Sequence, residues 1–207
     1  MNIFVLCTGR SGSTSFINAC GHINNFTASH ESRVREVGRE RLNYPPNHIE
    51  ADNRLSWILG SLDSSYGTES YYVHLIRNKE QTALSLNKRW TWPTGIMKAY
   101  AAGIKCIQYF GESKEERLKY CDDYYDVINQ NILHFLKDKP NKLTVHLENF
   151  EQDFAVFWHG IGAQGDLDKA LKTFSQKSNQ SLAQNKMKNL RKLFDVFWKE
   201  VKYLWRE

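Results

Sequence analysis

The residues best suited to chemistry lie in one short stretch near the start of the chain, Thr8-Gly9-Arg10-Ser11-Gly12-Ser13-Thr14. Its glycines allow a tight turn whose free backbone N–H groups can face one ligand. Arg10 adds a full positive charge to these amides. Ser13 and Thr14 add hydroxyl donors in the first turn of a predicted helix, whose N-terminus attracts anions. The stretch therefore predicts a binding loop for a phosphate or sulfate group.

The elements on either side of this loop are those that an anion-binding loop requires. Ile3–Cys7 is a run of five apolar residues without alternation, typical of a parallel strand buried on both faces. A helical stretch follows from Ser13 to about Ile23. In such a strand, turn and helix, free N–H groups and the helix N-terminus point at the ligand. A turn that only connects the strand to the helix is the alternative interpretation.

The loop differs from the Walker A loop of ATPases. That pattern has four residues between its glycines and a lysine before its Ser or Thr. Here Gly9 and Gly12 are separated by two residues, and Ser13 stands in the place of the lysine. The difference argues against an ATP-dependent enzyme of the Walker type.

A second group of polar residues, His30-Glu31-Ser32-Arg33, follows the second predicted strand, Phe26–Ser29. Ligands of open α/β sheets bind beyond the carboxyl ends of the strands, so this group should lie close to the loop. A neutral imidazole such as that of His30 suits the activation of a hydroxyl group. The alternative for Glu31 is a solvated carboxylate that pairs with a nearby arginine and adds little stability.

Arg77 and Ser85 follow the third predicted strand. Arg77 ends the predicted strand Tyr71–Ile76, and Ser85 lies two turns into the helix that Asn78 can cap. A guanidinium fork and a hydroxyl from the adjacent helix can hold a phosphate between them. An Arg and a Ser with this spacing occur often by chance. What argues against chance here is that the pair follows a strand and stands in the same chain as the first loop.

The segment Arg10-Ser11-Gly12-Ser13-Thr14 resembles the 5′-phosphosulfate loop of sulfotransferases that use 3′-phosphoadenosine-5′-phosphosulfate (PAPS). In that family a Lys or Arg is followed by Ser-Gly-Thr-Thr or a near variant. Arg77 and Ser85 resemble the pair that binds the 3′-phosphate of PAPS, an Arg at a strand end and a Ser eight residues later. Glu31-Ser32-Arg33 matches the Glu-x-Arg setting of the base in tyrosylprotein and glycan sulfotransferases.

The resemblance implies a P-loop NTPase-like α/β fold with three layers, a parallel sheet flanked by helices. It implies transfer of a sulfuryl group from PAPS to an acceptor hydroxyl or amine, with release of 3′,5′-ADP and without a metal ion. Glu31 would be the base, with His30 as second candidate, and Arg10 would neutralise charge on the leaving phosphate. Leu147 replaces the tyrosine that contacts adenine in cytosolic members of the family.

The whole chain has the composition of one globular domain, residues 1–207, with 41% hydrophobic residues. No stretch approaches the roughly 20 apolar residues of a membrane span, and no secretory signal pattern opens the chain. Free cysteines favour a reducing compartment, so a cytoplasmic location is expected. The last helix, about residues 182–205, carries most of the net charge of +5 and is predicted to pack on the domain.

The acceptor is not legible from the sequence, so a small molecule, a carbohydrate and a peptide remain open. Residues 34–48 and 90–96 are the predicted acceptor loops. Two other functions remain as alternatives: a small-molecule kinase that uses ATP and magnesium, and a non-enzymatic nucleotide-binding module. No nucleic-acid partner is expected, because the chain carries no recognisable RNA or DNA motif.

Overall fold

The computed structural model describes residues 1–107 and 111–180, and their side chains as far as Ser175. Within this part of the chain, five strands form a sheet in the order β2-β3-β1-β4-β5, and all neighbouring strands are parallel. The strands are β1 (Ile3–Leu6), β2 (Thr27–His30), β3 (His48–Ala51), β4 (Tyr71–Ile76) and β5 (Lys142–His146). β1 is central, with Val5 opposite Ala51 on one side and Val73 on the other.

The helices connect these strands. They are α1 (Ser13–Cys20), α2 (Leu59–Tyr66), α3 (Lys79–Asn87), α4 (Ile96–Lys98), α5 (Lys114–Leu136), α6 (Phe150–Gly160) and α7 (Leu167–Gln180). A π-helical turn, Ala99–Ile104, continues α4, and 3₁₀ turns occupy Gly38–Leu42, Asn53–Trp57 and Leu147–Asn149. The predicted helix over about 182–205 lies outside the described residues.

Helices cover both faces of the sheet. Successive residues of a strand point to opposite faces, so β1 contributes side chains to a buried cluster on each side. Ile3 and Val5 of β1 belong to a buried cluster with residues of α1, α6 and α7. Phe4 and Leu6 belong to a second cluster with residues of α2, α3 and α5. All four side chains are 0% exposed. The predicted three-layer α/β fold with a parallel sheet is confirmed.

Strand β3 is the element that the sequence analysis missed. Two of its four residues are polar, yet His48 is 4% exposed and Glu50 is 0% exposed. They satisfy each other in part, with Nε2 of His48 3.1 Å from Oε2 of Glu50. Buried polar residues break the apolar run by which a central parallel strand is recognised, so the stretch lacked a strand signal.

Among the described helices, none combines the length and the apolar character that crossing a lipid bilayer requires.

The packing of α6 on the sheet can be tested at Phe154, which is 0% exposed and lies with its ring centroid 5.3 Å from that of Phe16. Phe154→Ala should lower the free energy of unfolding by about 3–5 kcal/mol through lost burial and the cavity left behind. Val156→Ala is the control, since Val156 on the same helix is 56% exposed, and its effect should stay below about 0.5 kcal/mol. Urea unfolding followed by circular dichroism measures both, and equal losses would contradict the described packing.

Candidate functional site

The loop between β1 and α1 has an unusual backbone. Gly9, Arg10 and Gly12 all have positive φ, at 77°, 61° and 90°. A Cβ on Gly9 would collide with the side chain of Asn53, and one on Gly12 would collide with that of Leu147. The positive φ favours glycine at both positions, and a larger residue would also have to displace one of these side chains. Arg10 is not a glycine, and strained non-glycine residues of this kind cluster at functional sites.

The loop ends at the N-terminus of α1, where the helix itself supplies no side chain that would satisfy the free N–H groups. Gly12 is its N-cap, no side chain caps the helix, and its first turn holds no acidic residue. The first amides of a helix have no partner within the helix and carry partial positive charge. The N-terminus of α1 is thus open to an anion from outside.

Hydrogen bonds join this loop to Arg77, which precedes α3, and to Ser85 in the second half of that helix. Nε of Arg10 donates to Oγ of Ser85 at 3.0 Å, and Nη1 of Arg77 donates to the carbonyl oxygen of Arg10 at 3.1 Å. Nη2 of Arg77 donates to Oε1 of Gln81 at 3.0 Å, while its Nε is buried with no partner among the described residues. The structure therefore brings together Arg10, Arg77 and Ser85, which the sequence placed up to 75 residues apart.

Positive charge accumulates here without compensation. Burial, together with the positive charges of Arg89 and Arg77, lowers the pKa of the Arg10 guanidinium to about 10. In the part of the chain that the structure describes, Arg10, Arg77 and Arg89 have no carboxylate within ion-pair distance. Arg10 stays charged at neutral pH, so a bound anion would remove an electrostatic cost that the free protein carries.

The other predicted residues of the loop differ in their exposure. Ser13 is 9% exposed, whereas the side chain of Thr14 is exposed beside it. Ser11 is 1% exposed and its hydroxyl lies beside the thiol of Cys7, inside the protein. Binding of a ligand by Ser11, Gly12, Ser13 and Thr14 stays a prediction.

His30 and Glu31 stand at the carboxyl end of β2. Nε2 of His30 lies 2.9 Å from Oγ of Ser13 and 3.4 Å from Oγ1 of Thr14, so the imidazole touches the first turn of α1. Glu31 has a positive φ of 52°, and its carboxylate is 3.0 Å from Nη1 of Arg54. Both partners of that ion pair are about one-third exposed, at 33% and 32%. The expected nearness of this segment to the loop holds for His30.

Three residues near the site escaped the sequence analysis, and all follow the unrecognised strand β3. Asp52 is 0% exposed, accepts a hydrogen bond from the amide of Arg54 at 2.8 Å, and pairs with Arg41. Burial raises the pKa of Asp52, and the Arg54 amide and Arg41 oppose that rise. The side chain of Asn53 lies next to Gly9, where it would meet any added Cβ. A strand ending at Ala51 would have been the signal, because it places Asp52-Asn53-Arg54 at the ligand edge of the sheet.

Gly12→Ala should lower the melting temperature more than Gly162→Ala. Both glycines have positive φ, at 90° and 65°, so both variants carry a conformational cost of roughly 1–2 kcal/mol. Only at Gly12 would the new methyl group meet a neighbour, Leu147, whereas nothing lies within 4 Å at Gly162. Leu147→Ala would make space for the new methyl group. The melting temperature that Gly12→Ala loses in a Leu147→Ala background should therefore equal the loss caused by Gly162→Ala. Equal melting temperatures for the two single variants would contradict the described loop.

No protein-family model matches the chain, and no curated protein matches it in sequence. Among solved structures, the mouse sulfotransferase SULT7A1 complexed with PAP matches with a TM-score of 0.60. The match has 13% sequence identity and covers 88% of this chain and 67% of the mouse chain. At this identity the match concerns the fold, and the chain shares the five-stranded parallel sheet and flanking helices of a sulfotransferase.

Proposed function

We propose that this protein is a PAPS-dependent sulfotransferase, which transfers the sulfuryl group of PAPS to an acceptor hydroxyl or amine and releases 3′,5′-ADP. The observation that carries the proposal is the hydrogen-bonded group of Arg10, Arg77 and Ser85 at the open N-terminus of α1. The fold supports it, since the mouse sulfotransferase of similar fold was solved with PAP, which is 3′,5′-ADP.

The donor has two anionic groups, and the site offers two sets of donors. The α1 amides and Arg10 would bind the 5′-phosphosulfate, and Arg77 and Ser85 would bind the 3′-phosphate. The oxygen of Ser85 already accepts from Arg10, which leaves its O–H free to donate to a phosphate oxygen. When the sulfuryl group leaves, negative charge grows on the 5′-phosphate, and the positive charge of Arg10 is already in place to stabilise it.

The acceptor must lose a proton as it attacks sulfur. Glu31 is the proposed base, because a carboxylate at the carboxyl end of β2 can take that proton. His30 has a different role in this proposal, since its Nε2 is 2.9 Å from Ser13 and so supports the donor loop. The acceptor itself would lie between Glu31 and the segment 90–96. Arg54 links the two, with Nη1 at Glu31 and Nη2 donating to the carbonyl oxygen of Thr94 at 3.4 Å.

The 3′-phosphate contact predicts a preference among nucleotides. The wild type should bind 3′,5′-ADP more tightly than 5′-AMP, and Arg77→Ala should remove most of the difference. A charge-assisted hydrogen bond contributes about 1.5–3 kcal/mol, which corresponds to roughly 10- to 150-fold in affinity. Titration calorimetry measures both nucleotides, with ATP and magnesium as a third ligand to test the kinase alternative.

Lys79→Ala is the matched control for this change. It also removes one positive charge near the start of α3, but Lys79 pairs with Asp126 at 2.5 Å and is exposed. Its preference for 3′,5′-ADP should equal that of the wild type. Equal affinity of the wild type for 3′,5′-ADP and 5′-AMP, or tighter binding of ATP and magnesium, would overturn the assignment of the donor.

The role of Glu31 predicts a loss of turnover without a loss of donor binding. Glu31→Gln should lower kcat by roughly 10²–10⁴-fold, the usual contribution of a general base. Its affinity for 3′,5′-ADP should stay at the wild-type value, because Glu31 is proposed to face the acceptor. The assay uses radiolabelled PAPS with an acceptor found by screening phenols, sugars and tyrosine peptides.

His30→Ala is the comparison variant, and it should weaken donor binding by releasing Ser13 and Thr14. If Glu31→Gln keeps near-normal turnover while His30→Ala loses it at saturating donor, the base is His30 instead. If neither substitution changes turnover, no proton transfer by this segment takes place.

A further inference from the structure

Two carboxylates, one in β3 and one directly after it, are buried. The packing of the sheet alone does not require charged residues there. Glu50 and Asp52 are both 0% exposed. Burying a carboxylate is costly unless hydrogen bonds and opposite charges compensate for the lost water. The hydrogen-bond and ion-pair partners of the two carboxylates therefore indicate why they are buried. For each carboxylate, one of these partners is directly linked to Glu31.

Glu50 holds the residue that follows Glu31. Its Oε1 accepts from the backbone N–H of Ser32 at 2.8 Å, and its Oε2 accepts from the Ser32 hydroxyl at 2.6 Å. These two bonds fix both the main chain and the side chain of Ser32. The end of the Glu31 residue that leads into Ser32 is therefore anchored to the interior of the sheet.

Asp52 holds the cation that pairs with Glu31. One oxygen of Asp52 accepts from the backbone N–H of Arg54 at 2.8 Å, and the other pairs with Arg41. This contact caps the 3₁₀ turn Asn53–Trp57 at its first residues. The guanidinium of Arg54 then reaches Glu31 at 3.0 Å.

Glu31 itself needs such support. Its φ of 52° is in the left-handed region, which costs a residue other than glycine roughly 1–2 kcal/mol. Its N–H donates to the carbonyl oxygen of Ala51 at 3.0 Å, again a residue of β3. A strained conformation persists only where the surroundings over-determine it.

We propose that Glu50 and Asp52 are positioning residues, which hold the Glu31 carboxylate at the carboxyl edge of the sheet from two sides. Glu50 acts through the main chain at Ser32, and Asp52 acts through Arg54. The catalytic consequence rests on the proposed function, in which Glu31 is the base. A reacting group that is misplaced by about 1 Å can lose roughly 100-fold in rate, so this support matters for turnover.

The same buried network provides a matched control. Oε2 of Glu50, which accepts from the Ser32 hydroxyl, also lies 3.1 Å from Nε2 of His48, and Nδ1 of His48 lies 2.7 Å from Oγ1 of Thr27. Thr27→Val removes that last contact and leaves both bonds to Ser32 in place. A network that serves only stability would respond in the same way to changes at either end.

The experiment compares Glu50→Gln with Thr27→Val in two measurements. In the first, the ¹³C resonance of the Glu31 carboxyl group, assigned through Glu31→Gln, is recorded in labelled protein. Its chemical shift should move in Glu50→Gln and stay unchanged in Thr27→Val. Unchanged values in Glu50→Gln, or equal movement in both variants, would overturn the proposal whether or not the protein transfers sulfate.

The second measurement is the turnover of PAPS at saturating donor and acceptor. Glu50→Gln should lower kcat by roughly 10- to 100-fold, with affinity for 3′,5′-ADP unchanged. In a Glu31→Gln background the same substitution should have no further effect, because it acts through Glu31. A loss of the same factor in both backgrounds would contradict positioning.

Ser32→Ala keeps the test decisive if Glu50→Gln does not fold. It removes only the hydroxyl bond to Glu50 on an exposed residue, and it should move the Glu31 resonance in the same direction by a smaller amount. A wild type that binds 3′,5′-ADP no better than 5′-AMP would refute the proposed function alone, and the carboxyl resonance would still decide the positioning.

Discussion

The hydrogen bond from Arg10 to Ser85 joins the two parts of the candidate donor site. Arg10 comes from the loop after the central strand β1, and Ser85 comes from the helix that follows β4, the next strand of the sheet. Arg10 makes this bond from a left-handed conformation, with glycines of positive φ at positions 9 and 12 of the same loop. The Arg10 guanidinium is thereby buried near the positive charges of Arg77 and Arg89, and both effects lower its pKa. Under the proposed function, the anionic donor is the partner that balances this charge.

The order of the strands separates the arginine group from Glu31 along one edge of the sheet. The arginine group lies at the ends of β1 and β4, whereas Glu31 lies at the end of β2, which is two strands from β1. Neighbouring strands are about 4.8 Å apart, so the ends of β1 and β2 are roughly 10 Å from one another. Under the proposed function, that separation leaves space for an acceptor between the base and the donor. Glu31 pairs with Arg54, from the segment after β3, and not with Arg10.

Strand β3 fills the gap between β1 and β2, and its buried polar residues give it a second use. A strand of apolar residues would have packed as well and at lower desolvation cost. Glu50 instead anchors Ser32, and Asp52, just after the strand, orders Arg54. The interior of the sheet thereby fixes a strained residue on its rim, where a helix or loop alone would leave it free to relax.

The sequence by itself determined the local parts of this protein. An apolar run predicted β1, and the glycines, Arg10 and hydroxyls predicted an anion loop at the start of α1, because these features depend on neighbours along the chain. A shared role for Arg77 and Ser85 was implied by the resemblance of their spacing after a strand to that of the sulfotransferases. Strand β3 could not be predicted from the sequence. His48 and Glu50 are buried because they make hydrogen bonds to each other and to residues 27 and 32, and such contacts leave no periodic pattern in the sequence. Only the tertiary structure placed Arg10 on Ser85, His30 on Ser13 and Arg54 on Glu31. Those contacts join elements that are distant in sequence, and parallel strand order, which local patterns do not encode, decides which of them meet.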